Sequence, residues 1–553
     1  MKLDRIARRD YADAHARFSI EDEIASLAGD LDAGLNAAVE CCDRHCGRDL
    51  VALRTVSAEG SLAEYTFEDL RALSARTANV LKAHGVGPGD VVAGLLPRTL
   101  DLIATILGVW RLGAVYQPLF TAFGPKAIEH RLTCAGTRMI VTTAAQRAKL
   151  DEIPDCPPVA VIRDADTPLP AGDIDLCAER ATAATEFAPV LRDKDAPFMV
   201  MSTSGTTGLP KALMVPQRAM LAFAVYMRDG IGLHEDDTFW NLADAGWAYG
   251  LYYAVCGPLL LGAATTLHEG GFSAETTIRL IDELGITSLA GSPTAFRMLI
   301  AAGPEAVAPI KGRLRTVSSA GEPLNPEIIH WFEKHLSVAI HDHYGQTELG
   351  MCVNNHHGLE HDVRPGSAGY AMPGYRIAVL DEAGNEQPPN SPGELAVDIA
   401  NSPLLWFTGY YGTETPAIAG GYYRTGDSVE IEPDGSLSFI GRADDVITSS
   451  GYRIGPFDVE SALIEHPAVI EAAVVGIPDP ERTELVKAFV ILGKGHEASD
   501  ALCEELQQHV KKRLSAHAYP RLIDFVDSLP KTPSGKIQRF LLRKAEVEKQ
   551  NVR

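Results

Sequence analysis

Hydrophobic positions in this chain follow two periods in alternation. Short, mostly apolar runs at Asp90 to Leu96, Met139 to Thr143, Phe198 to Ser202 and Leu314 to Ser319 are separated by stretches with helical spacing, the clearest being Leu100 to Leu112. Apolar runs of this length bounded by turn residues predict strands, and the stretches between them predict helices. That alternation predicts an α/β fold, a parallel or mixed sheet with helices on both faces. Asn390 to Gly393 reads as a turn that opens a β-rich region near Glu394. After Ile440 the character changes: the charged passage Gly441-Arg442-Ala443-Asp444-Asp445 precedes an amphipathic helix at Pro456 to His466. Val469 to Val475, Leu485 to Leu492, Ala501 to Leu514 and Ile523 to Asp527 then follow in the order β-β-α-β. The pattern predicts a large N-terminal domain of mixed sheets with a β-rich region over residues 1–441, and a small α+β domain over 442–553, which the resemblance given below implies is mobile. No fixed-period repeat and no low-complexity segment interrupts it.

Composition narrows the class. The 553 residues are 46% hydrophobic and 22% charged, ordinary for a globular protein. The formal charge of −23 disfavours nucleic-acid and anionic lipid surfaces, so a polyanionic ligand needs a local cradle. Nine irregularly spaced cysteines do not form a secreted disulfide framework, and Met1 to Phe18 lacks the apolar core of a signal peptide. No stretch is long and apolar enough to span a membrane. The expectation is a cytoplasmic enzyme or binding protein without membrane insertion.

The strongest chemical signal is Met201-Ser-Thr-Ser-Gly-Thr-Thr-Gly-Leu-Pro-Lys211, a loop crowded with glycines and hydroxyls after a strand. Its backbone N–H groups, hydroxyls and single ammonium suit phosphate oxygens, although it is not a Walker loop, and alone it is equally a polar surface turn. Two further loops follow strand candidates: Ser318-Ser-Ala-Gly-Glu-Pro323 and Asp342-His-Tyr-Gly-Gln-Thr-Glu348. Loops after the strands of an α/β sheet converge on one crevice. Glu348 suits Mg²⁺, with a helix first-turn acid as the alternative. Tyr423-Arg-Thr-Gly-Asp427 offers a carboxylate suited to ribose hydroxyls, and Gly441-Arg442 offers a guanidinium. Pro530-Lys-Thr-Pro-Ser-Gly-Lys536 is a rigid basic loop near the C-terminus. Cys41, Cys42, His45 and Cys46 are spaced for a helix on which they cannot converge on one ion. The clustered His341, His343, His356, His357 and His361 are read as loop residues near the site rather than metal ligands.

Together and in this order, these stretches resemble the adenylate-forming superfamily of acyl-CoA synthetases, peptide-synthetase adenylation domains and firefly luciferase, over about residues 35 to 540. Gly441 to Pro456 and Asp244-Ala-Gly-Trp-Ala-Tyr249 look most like acetyl-CoA and medium-chain acyl-CoA synthetases. The resemblance implies ATP, Mg²⁺ and coenzyme A, and a two-step reaction on a carboxylic acid. Ser202, Thr203, Ser204, Gly205, Thr206, Thr207, Gly208 and Lys211 would hold the β- and γ-phosphates. Gly321, Glu322 and Pro323, with Asp342, His343 and Tyr344, would line the adenine, and Gly345 and Gln346 continue that stretch. Thr347 would touch the α-phosphate and Glu348 would bind Mg²⁺. Asp427 would take the ribose hydroxyls, with Arg442 near it. Lys536 would bridge the carboxylate and the α-phosphate, with Arg453 near the phosphate. Asp444 matches the hinge of the rotating C-terminal domain, and Gly451 the pantetheine passage.

The chain departs from relatives at Ala212, at the histidine missing from Met214 to Gln217, and at Thr448. Gly345 stands where acetyl- and propionyl-specific relatives place a tryptophan that closes the acyl pocket. Its absence implies room for a short-to-medium or branched acid, unless Trp247 or Tyr249 fills the space. Two alternatives stay open: delivery to a carrier-protein pantetheine, and a noncatalytic nucleotide- or acyl-binding relative.

Overall fold

The computed structural model describes residues 8–203, 210–442, 445–449, 452–479, 482–493, 495–515, 517–531 and 537–551, with backbone only for Arg453, Gln550 and Asn551. Asp444, Gly451, Lys536 and the loop core Ser204, Gly205, Thr206, Thr207 and Gly208 lie outside the described residues.

Among the described residues the alternating pattern builds two large sheets. A seven-stranded sheet runs in the order Lys211–Pro216, Pro197–Thr203, Val115–Leu119, Val91–Leu95, Thr137–Thr143, Val159–Ile162 and Ile174–Asp175. It is parallel except for its edge, where Lys211–Pro216 turns back antiparallel on Pro197–Thr203. Strands Val91–Leu95 and Val115–Leu119 are buried on both faces, which is why they read as continuous apolar runs. The helices covering this sheet carry clear local signals. Phe67–Ala83 starts at a capping box between Thr66 and Asp69. Leu100–Arg111 packs against it so closely that a Cβ at Gly108 would meet the Thr77 side chain at 2.9 Å.

The second sheet has 14 strands, with a parallel centre and antiparallel wings. Ile340–Gln346, Thr316–Ala320, Ser288–Gly291, Phe239–Asn241, Thr265–His268 and Val51–Val56 lie parallel in that order. Beyond Ile340–Gln346 the pairing becomes antiparallel, through Gly350–Asn354 and Ser367–Ala371 to the β-rich group that includes Gly393–Asp398, Tyr422–Ile431 and Leu437–Arg442. The turn expected at 390–393 does precede strand Gly393–Asp398, but the group begins earlier, with Ile377–Leu380 paired antiparallel to that strand.

Residues from Ile447 onward form a separate five-stranded sheet of Tyr452–Ile454, Ile447–Ser449, Thr483–Leu492, Val469–Asp479 and Leu522–Phe525. Helices Pro456–Ile464 and Asp500–Arg513 pack on it around Val459, Leu463, Val474, Val490, Leu506 and Val510.

Two local expectations are corrected. The helix through Cys41 ends there: Ala37–Cys41 is followed by Cys42 at φ −141 and ψ −66 and a 3₁₀ turn Asp43–His45. The clustered histidines are not solvated loop residues. His341 and His343 lie on strand Ile340–Gln346, His343, His356 and His357 are buried, and the His341 and His357 rings stack at 3.7 Å and 5°. Burial among other imidazoles drives His343 and His357 well below the usual histidine range, and lowers His341 to about 4.

Candidate active site

Strand Ile340–Gln346 brings most of the predicted residues together. It ends in a three-residue turn, Thr347-Glu348-Leu349, before the chain reverses into Gly350–Asn354. Glu348 therefore sits in a hairpin turn, and the alternative of a helix first-turn acid falls. Its buried carboxylate accepts the Tyr410 hydroxyl at 2.6 Å. The Tyr410 ring lies under Lys211, with Nζ 4.8 Å from its centroid, and the Tyr411 N–H donates to the Ala212 carbonyl at 2.9 Å. Thr203, at the other end of the hydroxyl-rich loop, also reaches the Tyr410 phenol. Both described ends of that loop are thus tied to the turn that carries Glu348.

Asp427 is placed by the neighbouring sheet. Its carboxylate accepts the Tyr344 hydroxyl at 2.5 Å and the Gln346 amide at 2.8 Å, and Arg442 Nη1 stands 3.7 Å from its other oxygen. Asp427 and Arg442 are partners in the register of Tyr422–Ile431 with Leu437–Arg442. Gln346 is itself fixed, donating to the Thr425 carbonyl and accepting the Tyr423 hydroxyl at 2.9 Å each. Glu394 steadies the turn before Asp427 by accepting from Arg424 and from the Gly426 N–H. Residues about 80 positions apart are therefore locked side by side by hydroxyl and amide donors.

The adjacent strand ends contribute further groups. Ser319 and Asp342 are direct register partners, and Asp342 Oδ1 and Ser319 Oγ are buried without a hydrogen-bond partner among the described residues. The other Asp342 oxygen accepts the Leu324 N–H at 3.4 Å, and burial raises the carboxyl well above the usual range. A buried acceptor left open in this way fits a ligand donor such as an exocyclic amine. Gly321 adopts φ +95, which explains the glycine there. The Glu322 carboxylate accepts Thr294 Oγ1 at 2.8 Å and Arg297 Nη2 at 3.0 Å. Thr347 offers its carbonyl to the Tyr252 hydroxyl at 3.1 Å.

On the acyl side the structure changes one argument. A Cβ at Gly345 would lie 2.1 Å from the Gly350 carbonyl oxygen, so the bulged hairpin requires glycine, and that position is not a vacated indole slot. Trp247 packs against Phe120 and Phe123 at 5.7 and 5.5 Å. Tyr249 stands instead beside Tyr226 and Tyr253. Arg453 pairs through its backbone with Thr448. Ser202 pairs with Ala212 in the edge hairpin. Sequence reasoning missed Tyr410, Tyr423 and Tyr252; Tyr423 begins a recognised stretch, while Tyr410 and Tyr252 carry no local signal.

This arrangement, strand-end turns supplying a hydroxyl-rich loop, two buried carboxylates and an open acceptor beside a small second domain, is that of an adenylate-forming enzyme. The model of the AMP-binding enzyme family matches residues 40–411, and that of the AMP-binding enzyme C-terminal domain matches 458–536. An acetyl-coenzyme A synthetase of Bacillus subtilis is 38% identical over 98% of this chain and 95% of its own. The mitochondrial acyl-coenzyme A synthetase ACSM4 of Rattus norvegicus is 36% identical over 90% of this chain and 86% of its own. The crystal structure of a Brucella canis acyl-CoA synthetase superposes with a TM-score of 0.81 at 68% identity, covering 98% of this chain and all of that one. The chain belongs to the AMP-binding enzyme family and is an AMP-forming acyl-CoA synthetase, an acid–thiol ligase that uses ATP and coenzyme A. No helix among the described residues is long and apolar enough to cross a membrane.

Proposed function

We propose that this enzyme activates a short-to-medium-chain carboxylic acid in two half-reactions at the site bordered by Lys211, Glu348 and Asp427. The observation that carries the reading is the continuous set of contacts from Lys211 through Tyr410 to Glu348, set beside the Tyr344 and Gln346 clasp on Asp427. A carboxylate oxygen attacks the α-phosphorus of ATP, the bond to the β-phosphate oxygen breaks, and acyl-adenylate and pyrophosphate result. The thiol of coenzyme A then attacks the acyl carbon, loses its proton, and expels AMP.

In the first step Lys211 and the hydroxyl-rich loop hold the β- and γ-phosphates, Asp427 takes the ribose hydroxyls with Arg442 beside it, and Asp342 Oδ1 takes the adenine amine. Thr347 and Lys536 meet charge growing at the α-phosphate, where preorganised donors act most strongly, and Arg453 lies nearby. Glu348 is a hard oxygen donor in a buried turn and fits Mg²⁺, which when bound screens phosphate charge. In the second step the small domain, taken as residues 442–553, turns about Asp444 so that Lys536 leaves and Gly451 borders the pantetheine path. A cytoplasmic location accords with nine cysteines that are all free thiols.

The test is carboxylate-dependent ATP–pyrophosphate exchange over a panel of acids, with product formation followed with and without free coenzyme A. Exchange followed by a coenzyme A thioester is expected. Exchange without thioester formation from free coenzyme A would point to a carrier-protein acceptor, and no exchange with any acid would contradict the assignment.

A further inference from the structure

The turn Thr347-Glu348-Leu349 is held at each of its peptide units by a separate hydrogen bond. The Thr347 carbonyl accepts the Tyr252 hydroxyl at 3.1 Å. The Leu349 N–H donates to the Gln346 carbonyl at 3.1 Å and closes the turn on itself. The Leu349 carbonyl accepts the Tyr375 hydroxyl at 2.7 Å. Leu349 and Tyr375 are both buried, and burial raises the phenol well above the usual tyrosine range, so it keeps its proton and remains a donor. A phenol has one proton to give, and the shorter contact directs it to Leu349 rather than to the Leu404 carbonyl at 3.2 Å.

Tyr375 reaches the turn from a fixed base. Its N–H donates to the Met372 carbonyl at 2.9 Å, and the Met372 N–H donates at 2.8 Å to the carbonyl of Cys352, on the strand Gly350–Asn354 that leaves the turn. The Leu404 N–H donates to the Gly374 carbonyl at 3.3 Å. Tyr375 therefore stands between the turn and the stretch from Leu404 to Tyr410, whose hydroxyl holds the Glu348 carboxylate. On the reading of Thr347 and Glu348 as the groups that meet the α-phosphate and Mg²⁺, we propose that Tyr375 is a positioning residue of the adenylation half-reaction, whose hydroxyl fixes the Leu349–Gly350 peptide and with it the direction in which the turn presents both side chains. Tyr375 acts through the turn, because its proton is committed to a backbone carbonyl. Misplacement of reacting groups by about 1 Å can cost roughly a hundredfold in rate, so a hydroxyl that touches no substrate can still govern the step.

The experiment compares Tyr375→Phe with the unaltered full chain, since the ring stays and only the donor goes. Pyrophosphate exchange should fall by about tenfold or more, with a higher Mg²⁺ concentration needed for half the maximal rate, while thioester formation from supplied acyl-adenylate and coenzyme A stays within about threefold. Hydrogen exchange of the enzyme without nucleotide or metal is the second readout: the Leu349 amide should exchange faster in the variant, with protection of strand Val91–Leu95 unchanged. Equal loss of both half-reactions, or faster hydrogen exchange throughout the sheets, would make Tyr375 architectural and overturn the inference, as would unchanged pyrophosphate exchange. A Leu349 amide that exchanges as freely as an exposed loop in the unaltered enzyme would overturn it without any variant. Glu348→Gln keeps two failures apart. If it leaves the Mg²⁺ dependence unchanged, the reading of the turn falls and the positioning role with it; if it shifts that dependence and Tyr375→Phe does not, the positioning role alone falls.

Discussion

The nucleotide-facing strand ends and the small C-terminal sheet hold their carboxylates by different means. At the strand ends the hydrogen bonds described come from neutral donors, Tyr344 and Gln346 on Asp427 and Tyr410 on Glu348, while Arg442 Nη1 stands 3.7 Å from the other Asp427 oxygen. In the small domain the donors are cations. Glu460 is buried against Arg539 at 2.7 and 3.0 Å, and Lys487 is buried against Glu546 and Asp524 at 2.7 and 2.8 Å. Neutral donors orient a carboxylate and leave its charge on the oxygens, where a metal or ribose can use it; a buried cation cancels that charge and serves architecture. The difference is between carboxylates held mainly by neutral donors and carboxylates held by buried cations. Contacts across the boundary include Asn325 Nδ2 to Ser461 Oγ at 2.6 Å and Arg297 to Glu471 at 3.9 Å.

The largest effect that can break this comparison is expected from Arg539→Ala, which strands the buried Glu460. It should destabilise the small domain by about 3–5 kcal/mol. Hydrogen exchange over Val469–Asp479 and Thr483–Leu492 reads this, and unchanged protection would refute the structural role of the pair. Next comes Asp427→Ala, expected to lower kcat/KM for exchange by roughly a hundredfold, about 2.7 kcal/mol, with little change in melting temperature. A comparable loss of stability with intact exchange would make Asp427 architectural and erase the contrast.

The smallest effect is a pH dependence of stability from the histidines on and behind strand Ile340–Gln346. His341, His343, His356 and His357 are kept neutral in the fold, with His341 at about 4 and His356 at about 3, against about 6.5 in an unfolded chain. Between these values the unfolded chain binds protons that the folded chain refuses. Stability contributed by these groups is therefore complete above the unfolded value and is lost as pH falls from about 6.5 toward 4. His356→Gln should make the fall in unfolding free energy shallower by about 1 kcal/mol per pH unit on average, measured by denaturant titration between pH 7 and 5. An unchanged slope would count against the buried neutral ring.

Much of this organisation could be read from the residues. Apolar runs placed strand ends at Ser202 and Ser319, each one residue short of the observed Thr203 and Ala320, whereas Asp342 to Gln346, read as loop because it is polar, is strand; the β-β-α-β order of the small domain stands where the pattern set it. What escaped depends on contacts between distant positions. Tyr410 matters through Glu348, 62 residues away, and no periodicity announces it. Gly345 looked like a missing side chain, yet its glycine follows from the Gly350 carbonyl across the hairpin. The histidine group looked like loop chemistry because its members are polar, whereas pairing with Asn355 and Val317 carbonyls lets neutral imidazoles enter the core.

The most direct test of a fixed bed served by a movable domain separates the two half-reactions in Lys536→Ala. Pyrophosphate exchange should fall by at least a hundredfold, about 2.7 kcal/mol of transition-state stabilisation, while thioester formation from supplied acyl-adenylate and coenzyme A stays within about threefold of the unaltered enzyme. Equal loss of both half-reactions would contradict it.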